Sequence, residues 1–290
     1  MALGVSFPQT EIGSDPVAIR DFAQAVEEMG YDYLTCIDHV LQERTVTGPE
    51  WTAAYTRDKM YHEPMVLFGY LAALTKRIDL VTAILILPQR PTALVAKQAA
   101  EIDVLSNGRL RLGVGLGWNK MEFDALGQNF HDRGKRSEEQ VEVMRRLWTE
   151  EIVNFEGRWH RITEAGINPL PVQRPIPVWF GAFVNPAIER LARIGDGWLL
   201  NPRMPPGDEA RRQLELMRRT AEAAGRDPAE IGIDATVLAK PNRSNEWVDL
   251  AHRWRNLGAT HITFRTMAQG YGSIDDQIEA ARFFKEAVGQ

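Results

Sequence analysis

A chain of 290 residues with 44% hydrophobic and 25% charged residues can bury a large core and has the composition of an ordinary globular enzyme. Thirty-four basic against 39 acidic residues leave a net charge of −5 with no basic run, which argues against a nucleic-acid partner. One cysteine, Cys36, excludes an internal disulfide and any multi-cysteine metal site; no apolar run approaches the roughly 18 residues of a membrane span, and the chain is expected to be cytoplasmic.

Short apolar runs alternate with helical periodicities. Leu3–Phe7 reads as the first strand, followed by a helix from about Asp15 that buries Phe22, Ala25, Val26 and Met29 and ends at Gly30. Tyr31–Ile37 is the second strand, in which Cys36 shares parity with Asp38 and is expected to point into the interior. Residues 40–62 show neither period yet carry Leu41, Trp51, Tyr55, Met60 and Tyr61, so they read as a lid over an apolar pocket or as a contact between copies. A helix over Pro64–Thr75 precedes a strand over Ile78–Leu87, which is apolar enough to be covered on both faces. Next come a helix over Thr92–Leu105 and a strand from Leu110 that runs into Gly113-Val114-Gly115-Leu116-Gly117-Trp118. A helix near Ser137–Trp148 follows, then an inserted hairpin over Ile152–Ile162 centred on Glu156-Gly157. Strands at Pro177–Phe180, Gly197–Leu200, Ile231–Leu238 and His261–Phe264 alternate with helices over 184–194 and 208–224, through Trp247 and Trp254, and over Ile274–Val288.

Eight strand–helix units without a linker predict an α/β protein, a (β/α)₈ barrel forming one domain over 1–290. Chemistry in such barrels lies at the strand C-termini, which here carry Phe7 and Gln9, Asp38-His39, Leu87 to Arg90, Gly117-Trp118, Phe180-Gly181, Asn201, Lys240 and Arg265-Thr266. That set is poor in metal ligands, and no metal site is expected. Asp38 and His39 suit proton handling, or cap a strand end. Lys240 suits a Schiff base, or is solvated before the Pro241-Asn242 turn. The glycine run lets a flat ligand or a phosphate approach the backbone, but Trp118 occupies the third glycine position of the dinucleotide fingerprint, which therefore fails. After Gly181-Ala182-Phe183, a helix start at Asn185-Pro186 leaves free N–H groups for an anion. Phe7, Gln9, Trp51, Tyr55 and Asn201 are the candidate substrate pocket.

Taken together, several segments resemble the luciferase-like monooxygenase family, and more narrowly its coenzyme F420-dependent oxidoreductase branch. They are Ile37-Asp38-His39, the 77–87 stretch followed by Arg90-Pro91, Asp103-Val104-Leu105-Ser106-Asn107-Gly108-Arg109, the glycine run to Trp118, and Gly195-Asp196-Gly197-Trp198. The resemblance spans nearly the whole chain and implies a barrel that binds FMN or the 5-deazaflavin F420. It implies that His39 lies beside the reactive centre as proton donor or substrate anchor, with Asp38 next to it. Thr82-Ala83-Ile84 would form a bulge behind the ring, often with a non-proline cis peptide. Gly115, Gly117, Trp118, Asn119 and Met121 would follow the ribityl chain. Arg136 and the Gly181-Ala182-Phe183 backbone would hold the phosphate, where the family more often has two successive glycines. The implied activity is hydride transfer between F420 and a small apolar substrate. The alternative is an FMN-dependent two-component monooxygenase supplied by a flavin or F420 reductase. A homodimer through helices near 64–75 and 92–105 is also implied. A non-catalytic flavin carrier and a lyase acting through Lys240 are the readings from other classes.

Overall fold

The computed structural model describes residues 1–44 and 55–289. The alternating runs become β1 (Ala2–Ser6), α1 (Pro16–Glu28), β2 (Tyr33–Cys36), α2 (Pro64–Leu74), β3 (Asp79–Thr82), β4 (Leu85–Ile86), α3 (Thr92–Ser106) and β5 (Leu110–Gly115). Then follow α4 (Lys120–Ala125), α5 (Arg133–Thr149), the hairpin β6 (Val153–Glu156) and β7 (Arg161–Ala165), β8 (Val178–Gly181) and α6 (Asn185–Ile194). The chain closes with β9 (Gly197–Leu199), α7 (Asp208–Ala223), β10 (Gly232–Leu238), α8 (Ser244–Asn256), β11 (His261–Arg265) and α9 (Ile274–Val288). Local chemistry sets the boundaries. Asp15 accepts the Val17 amide at 2.9 Å to start α1 ahead of Pro16, and Asn107 and Gly108 end α3 at φ +58° and +81°.

All barrel pairings are parallel. The ring runs β1, β2, β3, β5, β8, β9, β10, β11 and back to β1. β4 continues β3 beyond a break and pairs with β5, so eight strand positions close the expected (β/α)₈ barrel. β6 and β7 pair antiparallel as the expected inserted hairpin, and Glu139 of α5 docks its tip by accepting the amides of Arg158, Trp159 and His160 at 2.8 Å each.

Strand alternation sorts the residues into two cores. Leu3, Val5, Leu34, Leu112, Phe180, Trp198, Ile262 and Phe264 face outward into one apolar layer with the helices. Inside, the Arg111 guanidinium lies 5.1 Å from the Tyr33 ring centroid and 4.7 Å from that of Trp179, and pairs with Asp79 at 3.4 Å. The Tyr33 hydroxyl meets Thr263 Oγ1 at 3.2 Å, which in turn bonds the buried Asp234 carboxyl at 3.0 Å. Glycines make the room: a Cβ on Gly4 would stand 2.1 Å from the Tyr33 ring, and one on Gly197 2.2 Å from the Trp179 ring.

Two expectations change. Tyr33 faces the interior, so Cys36 three residues on takes the opposite parity and packs outward with Leu34. The stretch expected as one strand over 78–87 breaks between Thr82 and Leu85 and ends in a 3₁₀ turn over Leu87–Gln89. The short helix α4 has no counterpart in the sequence reading.

Candidate active site

Beyond β2 the chain sets Asp38 and His39 side by side, each with its own charged partner. Asp38 is 1% exposed, and its carboxylate accepts the Ile86 amide at 2.9 Å and Arg90 Nη2 at 2.7 Å, while Arg90 Nη1 reaches Glu63 at 2.7 Å. Both Asp38 oxygens are thus spent fixing β4 and the 3₁₀ turn, which makes Asp38 a brace rather than a group facing the site. His39 Nδ1 lies 3.2 Å from Glu122 Oε2, and Glu122 Oε1 accepts the amides of Val40 at 2.9 Å and Leu41 at 3.1 Å. Burial pushes the fully buried Glu122 carboxyl up. The His39 bond and those two amides outweigh it and hold the group below the usual carboxylate range. An ionised acceptor takes a donor, so the network assigns the His39 proton to Nδ1 and leaves Nε2 without a hydrogen-bond partner among the described residues. The rings of Tyr55, Tyr61 and Trp118 surround the imidazole at centroid distances of 4.7, 5.2 and 6.2 Å.

Across the mouth, Thr82 Oγ1 donates to Gly113 O at 2.7 Å and the Ala83 amide to Cys36 O at 2.7 Å. The Ala83–Ile84 peptide is cis, at the position the resemblance points to, and both residues are half-buried. The Ile84 side chain lies over two glycines. A Cβ on Gly115 would come within 2.5 Å of its Cδ1, and one on Gly181 within 2.9 Å of its Cγ2. Beside them a small cavity is bounded by Gly115, Leu116, Ser137, Gly181, Ala187 and Arg190 at the uncapped start of α6. Arg190 is 8% exposed and donates Nε to Glu138 at 2.8 Å, and among the described residues its two Nη groups have no hydrogen-bond partner. Guanidinium and helix start together suit an anion, while the Ser137 hydroxyl is spent on the Gly134 carbonyl at 2.8 Å.

Several expected residues take other roles. Arg136 gives Nη2 to the carbonyls of Pro88 and Asn129 at 2.8 and 3.0 Å and pairs with Asp132, tying a loop to the 3₁₀ turn; the cation lining the cavity is Arg190 instead. Phe7 is fully buried, edge-on to Phe22 and His62, and Gln9 clamps Ile37 O at 2.8 Å and the His62 amide at 2.9 Å, so neither is a pocket wall. The Ala182 carbonyl accepts from the Trp198 indole at 3.0 Å and the Phe183 side chain is exposed, so only Gly181 of that triplet lines the cavity. Asn119 caps α4 through the Met121 amide at 3.0 Å, which places both at the root of the helix carrying Glu122. Asn201 caps a turn by accepting the Arg203 amide at 3.0 Å, Gly117 turns the loop at φ +69°, and Lys240 is exposed. Trp51 lies outside the described residues. Sequence reasoning missed Glu122, an acid one turn into the segment after the glycine run, and Arg190, one turn beyond Pro186 on α6. Among the described residues no three metal-binding side chains gather, and no helix is long and apolar enough to cross a membrane.

The model of the luciferase-like monooxygenase family matches residues 1–287. An FMNH2-dependent dimethylsulfone monooxygenase of Pseudomonas putida is 33% identical over 225 residues, covering 76% of this chain and 58% of that protein. Among solved structures, monooxygenase RslO1 from Streptomyces bottropensis superposes with a TM-score of 0.82 at 22% identity, covering 99% and 98% of the two chains. An F420-dependent secondary alcohol dehydrogenase in complex with an F420-acetone adduct superposes at 0.81 with 17% identity and the same coverage.

Proposed function

The chain belongs to the luciferase-like monooxygenase family, and from that premise we propose that it is an oxidoreductase moving a hydride between coenzyme F420 and a small organic substrate. The observation that carries this reading is His39, fixed through Nδ1 by buried Glu122 and boxed by Tyr55, Tyr61 and Trp118. It supplies a positioned proton-transfer group at a strand end of the barrel. What supports a flavin-type group is charge and position: Arg190 and the start of α6 bound a small cavity beside Gly115 and Gly181, and the Ile84 side chain packs on those two glycines. When bound, the reduced deazaflavin supplies a hydride and, with carbon in place of N5, favours two-electron transfer over reaction with oxygen.

The chain's own residues do the rest. Once the ring has taken a second proton from solvent at Nε2, the His39 imidazolium gives that proton to the substrate atom that becomes basic in reduction and returns to its Nδ1-protonated neutral form; in the reverse direction the Nε2 lone pair takes the proton. Glu122 stabilises the imidazolium that this exchange requires. The stacked Tyr55 and Tyr61, at 5.9 Å, keep water from the imidazole. Arg190 and the Gly181 backbone would hold the phosphate.

A second reading, an FMN-dependent two-component monooxygenase supplied by a partner reductase, is favoured by the 33% identity to the Pseudomonas putida enzyme. In either case we place a homodimer contact on α2 and α3, where Val66 is 72% and Leu105 56% exposed. Parallel fluorescence-quenching titrations decide the cofactor. The expected result is F420 bound at about micromolar affinity or tighter and FMN at least about tenfold more weakly. Equal or tighter FMN binding installs the monooxygenase reading, and absence of binding by both overturns the two together.

A further inference from the structure

We propose that Arg265, at the mouth end of β11, binds a single negative charge on the substrate, a carboxylate or a sulfonate. This deepens the reading above, since it names the substrate class of the same site. The register of β10 and β11 pairs Asp234 with His261, Thr236 with Thr263 and Leu238 with Arg265. His261 faces the interior, its ring 4.8 Å from that of Trp179, and Thr263 bonds Asp234 there. Arg265 shares that face and stands at its C-terminal end, the catalytic end of such barrels.

The two interior arginines contrast. Arg111 lies between two aromatic faces and pairs with Asp79. Among the described residues the Arg265 guanidinium has no hydrogen bond or ion pair, and its Nε is buried without a partner. A buried donor left unmade destabilises the protein at rest, and an oxyanion seated against it relieves that cost. Its surroundings set the ligand's charge and place. β11 stands two strands round the ring from β2, which leads into His39, and the Arg265 charge acts on Tyr61, whose ring packs against His39, so an anion held there lies on the His39 side of the mouth. Glu11 also acts on Tyr61. One of its oxygens accepts from Thr10 Oγ1 and the Ala268 amide, while the other is buried without a partner and beyond ion-pair distance of Arg265. That neighbouring carboxylate disfavours a dianion and leaves room for one charge. The anion cavity at Arg190 lies between β5 and β8, three strands round the ring from β11, so a cofactor phosphate is served without Arg265.

The test uses the full chain without cofactor, with sodium propanoate and sodium methanesulfonate as probes against sodium chloride at matched ionic strength. The wild-type melting temperature is expected to rise saturably with either organic anion beyond the chloride control. Arg265→Gln should lose that rise while melting no lower than wild type, and Arg265→Lys should keep a weaker one. No saturable rise in wild type, an equal rise in Arg265→Gln, or a markedly lower melting point of that variant each overturns the proposal, the last by assigning the residue to structure. Titration of F420 and FMN separates the two readings. A wild-type chain that binds neither cofactor but keeps the anion-dependent rise sinks hydride transfer alone. Loss of cofactor affinity by more than about threefold in Arg265→Gln moves the residue to the cofactor and overturns the subsite.

Discussion

Glu122→Gln is the substitution that best separates positioning from packing at His39. The glutamine oxygen can keep both loop amides, Val40 and Leu41, now 2.9 and 3.1 Å from Oε1. Its NH2 then meets His39 Nδ1, which must become an acceptor, so the proton moves to Nε2 and the tautomer facing the site is reversed. Gln89, whose Nε2 lies 3.5 Å from Glu122 Oε2 and whose Oε1 is buried without a partner, can flip to accept from the new amide. The fold cost is therefore small, about 1 to 2 kcal/mol for exchanging charge-assisted for neutral hydrogen bonds. Turnover is expected to fall by about 10²-fold or more, since the imidazolium loses its counter-charge and Nε2 its lone pair. Steady-state rates across pH, with ¹⁵N shifts of the His39 ring to read the tautomer, make the measurement. A variant with wild-type rate, pH profile and tautomer would show that Glu122 only packs. Glu122→Ala strips the acceptor from both loop amides as well, and should destabilise by about 2 to 4 kcal/mol in urea denaturation.

Arg190→Leu should weaken cofactor binding by about tenfold or more in quenching titrations. Arg136→Leu should lower the melting temperature with little effect on affinity, and the opposite pattern would return the phosphate to Arg136. The barrel interior makes a pH prediction. Burial raises the Asp234 carboxyl from 3.8 to about 6, against its Thr263 bond and the Arg111 charge, so its contribution to stability is greatest below 3.8 and is lost as pH rises through 6. Burial lowers the His261 imidazole from 6.5 to about 4, with Arg111 adding to it, so its contribution is lost as pH falls from 6.5 through 4. The two oppose each other in wild type, and Asp234→Asn should gain stability relative to wild type between pH 4.5 and 7 by roughly 2 kcal/mol in urea denaturation; parallel profiles would contradict it. Val66→Glu with Leu105→Glu should convert a dimer to monomers by light scattering at micromolar protein, and an unchanged mass would remove the interface from α2 and α3.

The barrel was legible because its strands are apolar β-branched runs at regular spacing, and the glycine run and His39 stand out by composition alone. What failed has a physical pattern. Asp38 and Arg136 are charged residues beside the site, yet their side chains turn away to satisfy the Ile86 amide and the carbonyls of Pro88 and Asn129. A residue list cannot tell which way a charge turns. Phe7 and Gln9 sit at a strand end but lie beneath the first turn of the loop, where Gln9 pins His62. Glu122 escaped notice because its helix is only six residues long and too short to show a period. The Cys36 inference failed by one step of strand parity, because Asp38 lies beyond the last residue of β2 and its direction says nothing of the strand.

The same alternation that hides such details also explains how one set of strands builds a closed floor and an open mouth. On β5 the inward positions read Arg111, Gly113, Gly115, and on β8 Trp179, Gly181: large or charged at the N-terminal end, glycine towards the site. Floor side chains need glycines on neighbouring strands, and a Cβ on Gly232 would stand 2.3 Å from the Trp179 ring. At the mouth the glycines serve different ends. A Cβ on Gly113 would lie 1.9 Å from the Thr82 carbonyl oxygen, so Gly113 is what lets β3 approach β5 beside the break. Gly115 and Gly181 are met chiefly by the Ile84 side chain, whose nearest atoms would stand 2.5 and 2.9 Å from a Cβ at the two positions. The first glycine is therefore fixed by backbone geometry. The other two give the Ile84 side chain its seat against β5 and β8, so at those positions it is side-chain packing that restricts the residue.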